Sequence, residues 1–224
     1  MRKEGGYPMT VREEYDSLQA QITQWEQRGD YIALESHMGR FLELTGEWYG
    51  IDSLQYAATK NDYAGVLRDV GRYTEAEQFF LQAKDAIGRL LGEEHPEYAT
   101  VINNLAGLYR LMKQYNKAEK CFEQALRIYA NTLGRTHFLY ISGLNNLGLL
   151  YQDMGRFDKA EGLHADSLAL LKQQQDNSVA IATTLNNLAS ARRQQGKTEG
   201  VEEMLKEALQ IYEEQVGREH SLYA

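Results

Sequence analysis

One recurring string constrains this chain more than any other feature. Asn103-Asn104-Leu105 returns as Asn145-Asn146-Leu147 after 42 residues, and as Asn186-Asn187-Leu188 after a further 41. A second element keeps the same step. Gly29-Asp30-Tyr31, Gly71-Arg72-Tyr73, Lys113-Gln114-Tyr115 and Gly155-Arg156-Phe157 stand 42 residues apart, and Gly196-Lys197-Thr198 follows 41 later. A period of about 20–50 residues marks a solenoid of stacked units and outranks other fold signals.

The repeat has a readable grammar. A glycine permits the positive φ at which one helix stops. Three residues past the turn aromatic come Leu34, Ala76, Ala118, Ala160 or Val201, and the alanines let two helices approach closely. Ahead of the turn, Ile102, Leu105, Ala106 and Tyr109 follow helical spacing; beyond it, Ala118, Phe122, Ala125 and Ile128 continue it. Each unit therefore reads as a helix, a tight turn and a second antiparallel helix.

At these residues a family resemblance emerges. Leu105, Ala106, Tyr109, Tyr115, Ala118, Phe122 and Ala125 resemble the tetratricopeptide repeat (TPR) consensus. The 42-residue step, the joint of Leu91-Gly92 with His95-Pro96, and the string Asn103 to Ala106 are similar to the kinesin light chain variety. The resemblance covers nearly all of the chain. It implies an all-α fold, a right-handed α-solenoid of about five antiparallel helix pairs, the TPR superhelix. In such arrays the first helices line a concave groove.

Composition narrows the function classes. A net charge of −8 disfavours blanket binding to nucleic acid or a membrane surface. Cys121 is the one cysteine, so an internal disulfide is impossible, which suits a reducing compartment. No stretch is long and apolar enough to span a bilayer, and the start MRKEGGYPMTVREEY lacks the apolar core of a secretory signal. The expectation is a cytoplasmic protein without membrane or nucleic-acid partners.

Along the chain, residues 1–10 read as a flexible tail and 11–217 as the array. The repeats fall at about 11–46, 52–90, 96–132, 138–173 and 178–215. The first keeps only the Gly-x-Tyr turn and reads as a cap. Trp48, beside the first joint, reads as a packing residue. Asp176-Asn177 replaces the Leu-Gly joint where one residue is lost. Residues 218–224 read as the start of a truncated further repeat, because Val216 to Ala224 match Leu91 to Ala99.

Enzyme motifs are absent: no G-x-x-x-x-G-K-[ST], H-E-x-x-H, G-x-S-x-G or C-x-x-C string occurs. No cofactor or metal is implied. His95, His137 and His220 share one joint position and read as structural, while His37 and His164 look solitary on second helices.

The first helices carry the residues of interest. Asn61, Gly65 and Arg68 lie at i, i+4 and i+7, one stripe of a helix; Asn103, Gly107 and Arg110 repeat it. Asn145, Leu149 and Gln152 vary it, and Asn186, Ser190 and Arg193 nearly restore it. The core takes the other stripe, so these side chains are expected to face the groove. An Asn amide offers two donors and an acceptor to a peptide backbone, Gly65 and Gly107 leave the floor open, and an arginine row suits carboxylates. A neighbouring ladder holds Asp62, Asn104, Asn146 and Asn187. The candidate peptide-binding set is Asn61, Arg68, Asn103, Asn104, Gly107, Arg110, Asn145, Asn146, Leu149, Gln152, Asn186, Asn187 and Arg193. The same amides could instead bond between neighbouring helices and set the pitch.

Two functions fit. One is a protein–protein interaction module that binds an extended peptide segment, acidic or mixed in charge, in its concave groove. The other is a structural spacer, or a self-association or regulatory segment of a larger protein, associating through an exposed terminal repeat.

Overall fold

A computed structural model describes residues 10–174 and 178–216. Of the tail expected over residues 1–10, residues 1–9 lie outside the described residues, as do the joint residues Asp176 and Asn177 and the truncated repeat expected over 218–224; Thr10 is described and caps the first helix. Among the described residues there are ten α-helices and no strand. They are α1 (Val11–Arg28), α2 (Tyr31–Tyr49), α3 (Leu54–Asp69), α4 (Tyr73–Leu91), α5 (Pro96–Leu111), α6 (Tyr115–Thr132), α7 (Phe138–Asp153), α8 (Phe157–Lys172), α9 (Ser178–Gln194) and α10 (Val201–Val216). The chain divides into two compact units, residues 1–108 and 109–224, so the division falls within α5.

In unit 1, α1 starts at a capping box in which the Thr10 hydroxyl accepts from the Glu13 amide and the Glu13 carboxylate accepts from the Thr10 amide. Its apolar stripe, Tyr15, Leu18 and Ile22, buries against Leu34, Met38, Phe41 and Leu44 of α2 and Val66 of α3. Helices α2 and α3 pack together, as do α3 and α4. Ala76 and Phe80 of α4 are fully buried. Burying a phenylalanine contributes about 1.5–3 kcal/mol, so Phe80 is a substantial share of this unit's stability.

Unit 2 repeats the scheme. Helix α6 packs on α7, α7 on α8, α8 on α9 and α9 on α10, and the first helices α7 and α9 also touch each other. Ala118 and Phe122 occupy the register of Ala76 and Phe80 and are equally buried. The Tyr151 hydroxyl donates to Glu119 at 2.9 Å. One repeat later Arg192 stands in the tyrosine's register, and its Nε lies 3.5 Å from the carboxylate of Glu161, the counterpart of Glu119. The aromatic is lost there, but its carboxylate partner is kept.

Joints and turns follow their local chemistry. His95 and His137 cap α5 and α7: each Nδ1 accepts a backbone N–H two residues on, from Glu97 at 3.1 Å and Leu139 at 3.2 Å. Trp48 departs from its expected packing role. It is 44% exposed, with the Arg12 guanidinium 5.6 Å from its ring centre. Among the described residues, no helix is long and apolar enough to cross a membrane.

The turn glycines have φ of 65° at Gly29, 85° at Gly71, 71° at Gly155 and 75° at Gly196, and Lys113 adopts 58° at the same register. A side chain in this left-handed region costs about 1–2 kcal/mol. Lys113→Gly is expected to leave the midpoint of urea unfolding unchanged or to raise stability by up to about 1 kcal/mol, while Gly71→Ala lowers it by about 1 kcal/mol. A loss of stability in Lys113→Gly would show that this turn is held by the lysine side chain instead.

Candidate functional site

Each unit has a hollow walled by its first helices. In unit 1 a hollow of about 250 Å³ is lined by Glu26, Tyr31 and Leu34 and, from α3, by Asn61, Asp62, Gly65, Val66, Arg68 and Asp69, with Asn104 of α5 opposite. The α3 stripe expected to face a ligand is therefore on the wall. Its amides form a short chain: Asn104 Nδ2 donates to Asn61 Oδ1 at 3.1 Å, and Asn61 Nδ2 donates to Asp62 Oδ1 at 3.2 Å. Gly65 faces open space, and the Arg68 guanidinium reaches over Gly107, with Nη1 3.6 Å from where a Cβ would stand.

The charge of this hollow differs from the basic row expected. Arg68 donates to Asp69 at 2.8 Å, which neutralises it locally. Glu26 and Asp62 have no cation partner among the described residues. Asp62 still touches water, yet the hollow crowds it with protein. That crowding pushes its carboxyl up to about 6, against the Asn61 hydrogen bond that lowers it and with a smaller push from the charges of Glu26 and Glu97.

In unit 2 a hollow of about 350 Å³ is lined by Phe138, Ile141, Ser142, Asn145, Asn146 and Leu149 of α7, Leu171 of α8, and Ala180, Thr183 and Asn187 of α9. It is largely apolar, with Phe138 60% exposed at its rim. The Asn187 side chain has no hydrogen-bond partner among the described residues, while its backbone carbonyl accepts from Gln152 Nε2 at 3.4 Å. Arg110 donates to Asp153 at 2.7 Å, so a second arginine of the row is engaged. Arg193 and Asn186 are exposed on α9, and Arg193 forms no ion pair with a described residue. Neither lines the hollow. Asn103 is half-buried outside the unit 1 hollow, and both it and Asn146 are engaged by other groups of the protein.

Asn145 departs most from expectation. Its amide turns inward. Nδ2 donates to the hydroxyls of Ser167 and Thr184, both at 2.8 Å, and Oδ1 lies 2.9 Å from His164 Nδ1. The Thr184 hydroxyl donates to the Ala180 carbonyl at 2.8 Å and that of Ser167 lies 3.5 Å from the Ile141 carbonyl, so both oxygens are free to accept. His164 then carries its proton on Nδ1, and its Nε2 lone pair is buried without a partner. His164, Ser167 and Thr184 are all fully buried. Loss of water around the ring pulls the His164 pKa down to about 4.

This network was invisible to a search for catalytic strings, but the repeat register contains a signal. His164 stands where Phe80 and Phe122 stand, and Ser167 where Ala83 and Ala125 stand. Gly148 makes room for the ring: a Cβ there would come within 2.5 Å of His164 Cε1. Among the described residues, no group of three or more His, Cys, Asp or Glu could hold a metal ion.

The sequence pattern that defines the tetratricopeptide repeat matches residues 55–131 and 139–214. No curated protein sequence matches the chain. Among solved structures, BtubC (BKLC) from P. vanneervenii superposes with a TM-score of 0.75 at 22% identity, over 92% of this chain and 83% of that one. A putative kinesin light chain from Podosopora anserina with nearly identical TPR-like repeats gives 0.68 at 19% identity, over 91% and 97%. MamA gives 0.53 at 15%, over 86% and 95%. At these identities the likeness is one of fold.

The buried imidazole sets a pH dependence. Its folded pKa lies below the ordinary value of about 6.5, so its contribution is intact above that value and is lost as pH falls toward about 4. Between those limits the slope is about 1.4 kcal/mol per pH unit. Denaturant unfolding between pH 7 and pH 4.5 is expected to show this extra slope in the wild type and not in His164→Gln. Equal slopes would mean the ring is not held neutral in the core.

Proposed function

Since the chain belongs to the tetratricopeptide repeat family, whose fold serves protein–protein interaction, we propose that it binds an extended peptide segment of another protein in the hollows of its first helices. The observation that carries this reading is the unit 2 hollow, where an apolar floor of Ile141, Leu149 and Leu171 lies beside the unpartnered amide of Asn187. An apolar side chain of the ligand fills such a floor, and its backbone pairs with such an amide irrespective of sequence.

Charge refines the ligand. A carboxylate offered to Arg68 or Arg110 must compete with Asp69 or Asp153 already in place. Arg193 has no such competitor and is the natural partner for an acidic ligand residue. Glu26 and Asp62 in unit 1 favour a basic one. The ligand is therefore a peptide of mixed charge with an apolar anchor. The role is binding rather than catalysis. A second reading, self-association, draws on Leu205 and Leu209, which are 37% and 45% exposed one turn apart on α10. Sedimentation analysis showing a monomer across the micromolar range would remove it.

The test is selection of 12-residue peptides from a random phage-displayed library, followed by anisotropy titration of the enriched peptides. Asn187→Ala should weaken binding about threefold to tenfold, and Leu149→Asp more, whereas Lys120→Ala on the second helix α6 should not. Enriched peptides that bind Leu149→Asp as well as the wild type would defeat the proposal.

A further inference from the structure

The asparagine that opens the first-helix stripe recurs at the same register in both units, yet it has two fates. Asn145 points into the core, while the residue two repeats earlier, Asn61, stays on the wall of its hollow and bonds to Asp62 and Asn104. Identical side chains on equivalent helices need an outside cause to diverge. The cause lies in three buried positions. Asn145 meets His164, Ser167 and Thr184. At the same three registers unit 1 carries Phe80, Ala83 and Val101, all buried and none with a side-chain hydrogen-bonding group. A fourth substitution completes the set: Gly148 stands in the register of Ala64, and only a residue without a Cβ leaves space for the His164 ring.

The physical consequence is a change of surface made from inside. An amide whose two N–H groups and carbonyl are bonded in the core is no longer offered to a ligand. Where no inward partner exists, burying the amide would cost the desolvation of unpaired polar groups, about 1–3 kcal/mol each, so it stays at the surface. The hollow above Asn145 is correspondingly apolar, with Phe138, Ile141, Leu149 and Leu171, and the hollow beside Asn61 is polar.

We infer that His164, with Ser167 and Thr184, is a specificity-determining device: by drawing the Asn145 amide into the core it converts the unit 2 hollow into a site for an apolar ligand side chain. The inference rests on the peptide-binding reading and adds which buried residues set the preference. His164 is a positioning residue in this scheme, since it acts through Asn145 and does not touch the ligand. Charged neighbours do not share the work. On α7 the only charged side chain is Asp153, engaged with Arg110; on α9 they are Arg192 and Arg193. On α8, Glu161 and Lys172 are paired with Lys197 and Glu207, and Asp158, Lys159 and Asp166 are exposed.

Two readouts test this. The first needs no ligand: hydrogen–deuterium exchange of side-chain amides by NMR. Asn145 is expected to exchange at least about tenfold more slowly than Asn61. The triple variant His164→Phe, Ser167→Ala and Thr184→Val, which copies unit 1, should abolish that protection. His164→Gln keeps a neutral donor and should retain it. The second readout is the residue preference of 12-residue phage-displayed peptides. Wild type should enrich an aliphatic or aromatic residue at one position. The triple variant should lose that preference by about tenfold in affinity between a Leu peptide and its Ser counterpart. Should the triple variant not fold, Leu149→Asn places an amide in the same hollow without disturbing the core and should shift preference the same way. Asn145 exchanging as fast as Asn61 overturns the inference. So does unchanged apolar preference in both the triple variant and Leu149→Asn. Enrichment of no peptide by any of these proteins defeats the peptide-binding reading and the specificity claim with it, and the exchange rates then report the amide network alone.

Discussion

The structure depends on how near two helices come at one recurring contact. Ala64 and Ala76 in unit 1, and Ala118 and Ala160 in unit 2, are fully buried at the places where a first and a second helix meet the turn. Helix axes approach to about 8–10 Å only when the side chains between them are small. The first four turns allow no slack, because one residue in the left-handed region reverses the chain and the next helix begins two residues later. A larger side chain at such a contact would separate the helices while the turn held their ends together. The aromatic one turn further along, Phe80 or Phe122, then fills the space that opens as the helices diverge. Small at the turn and large beyond it is a single geometric condition, met by Ala76 with Phe80 and by Ala118 with Phe122.

That condition explains how much was legible beforehand. Helix existence and pairing follow from apolar spacing and from the Gly-x-aromatic turn, both local in sequence. Even Lys113, a residue poorly suited to its turn, could be placed because the register on either side demanded it. The candidate stripe on α3 was legible for the same reason: Asn61, Gly65 and Arg68 must share a face if the core takes the other. Charge was legible only in part: acids near the arginine row were evident in the sequence, but not which arginine each one holds. Whether Arg68 or Arg110 is available depends on Asp69 and Asp153, and Asp153 lies one repeat away from Arg110. The apolar point at Leu149 was legible in its stripe, but the floor around it was not, because Leu171 and Ala180 are brought in from other helices.

Asn145 shows a different kind of limit. A helical stripe says where a Cβ points and not where the amide beyond it ends up. An asparagine at the edge of the core has a rotamer that reaches water and another that reaches inward, and hydrogen-bond partners decide between them. Reading His164 alone as a solitary histidine discarded the clue. Read down the register, it replaces Phe80 and Phe122, and a buried polar residue in an aromatic's place requires a partner. The same comparison picks out Ser167 and Gly148. In a repeat protein each unit supplies the control for its neighbours, so departures from the internal pattern carry more information than the pattern.

A recognition surface governed by its core has a further consequence for how such chains change. Substituting a wall residue such as Leu149 alters one contact with the ligand and leaves the fold nearly untouched. Altering the four buried positions together changes which groups the wall offers while keeping the wall's own sequence. Taken singly those changes are obstructed. A histidine opposite an alanine would overlap its Cβ, and an asparagine turned inward without Ser167 and Thr184 would strand its donors. On the proposed reading the four act as one unit of specificity, with interaction energies of about 0.5–3 kcal/mol expected for residues in one hydrogen-bonded network.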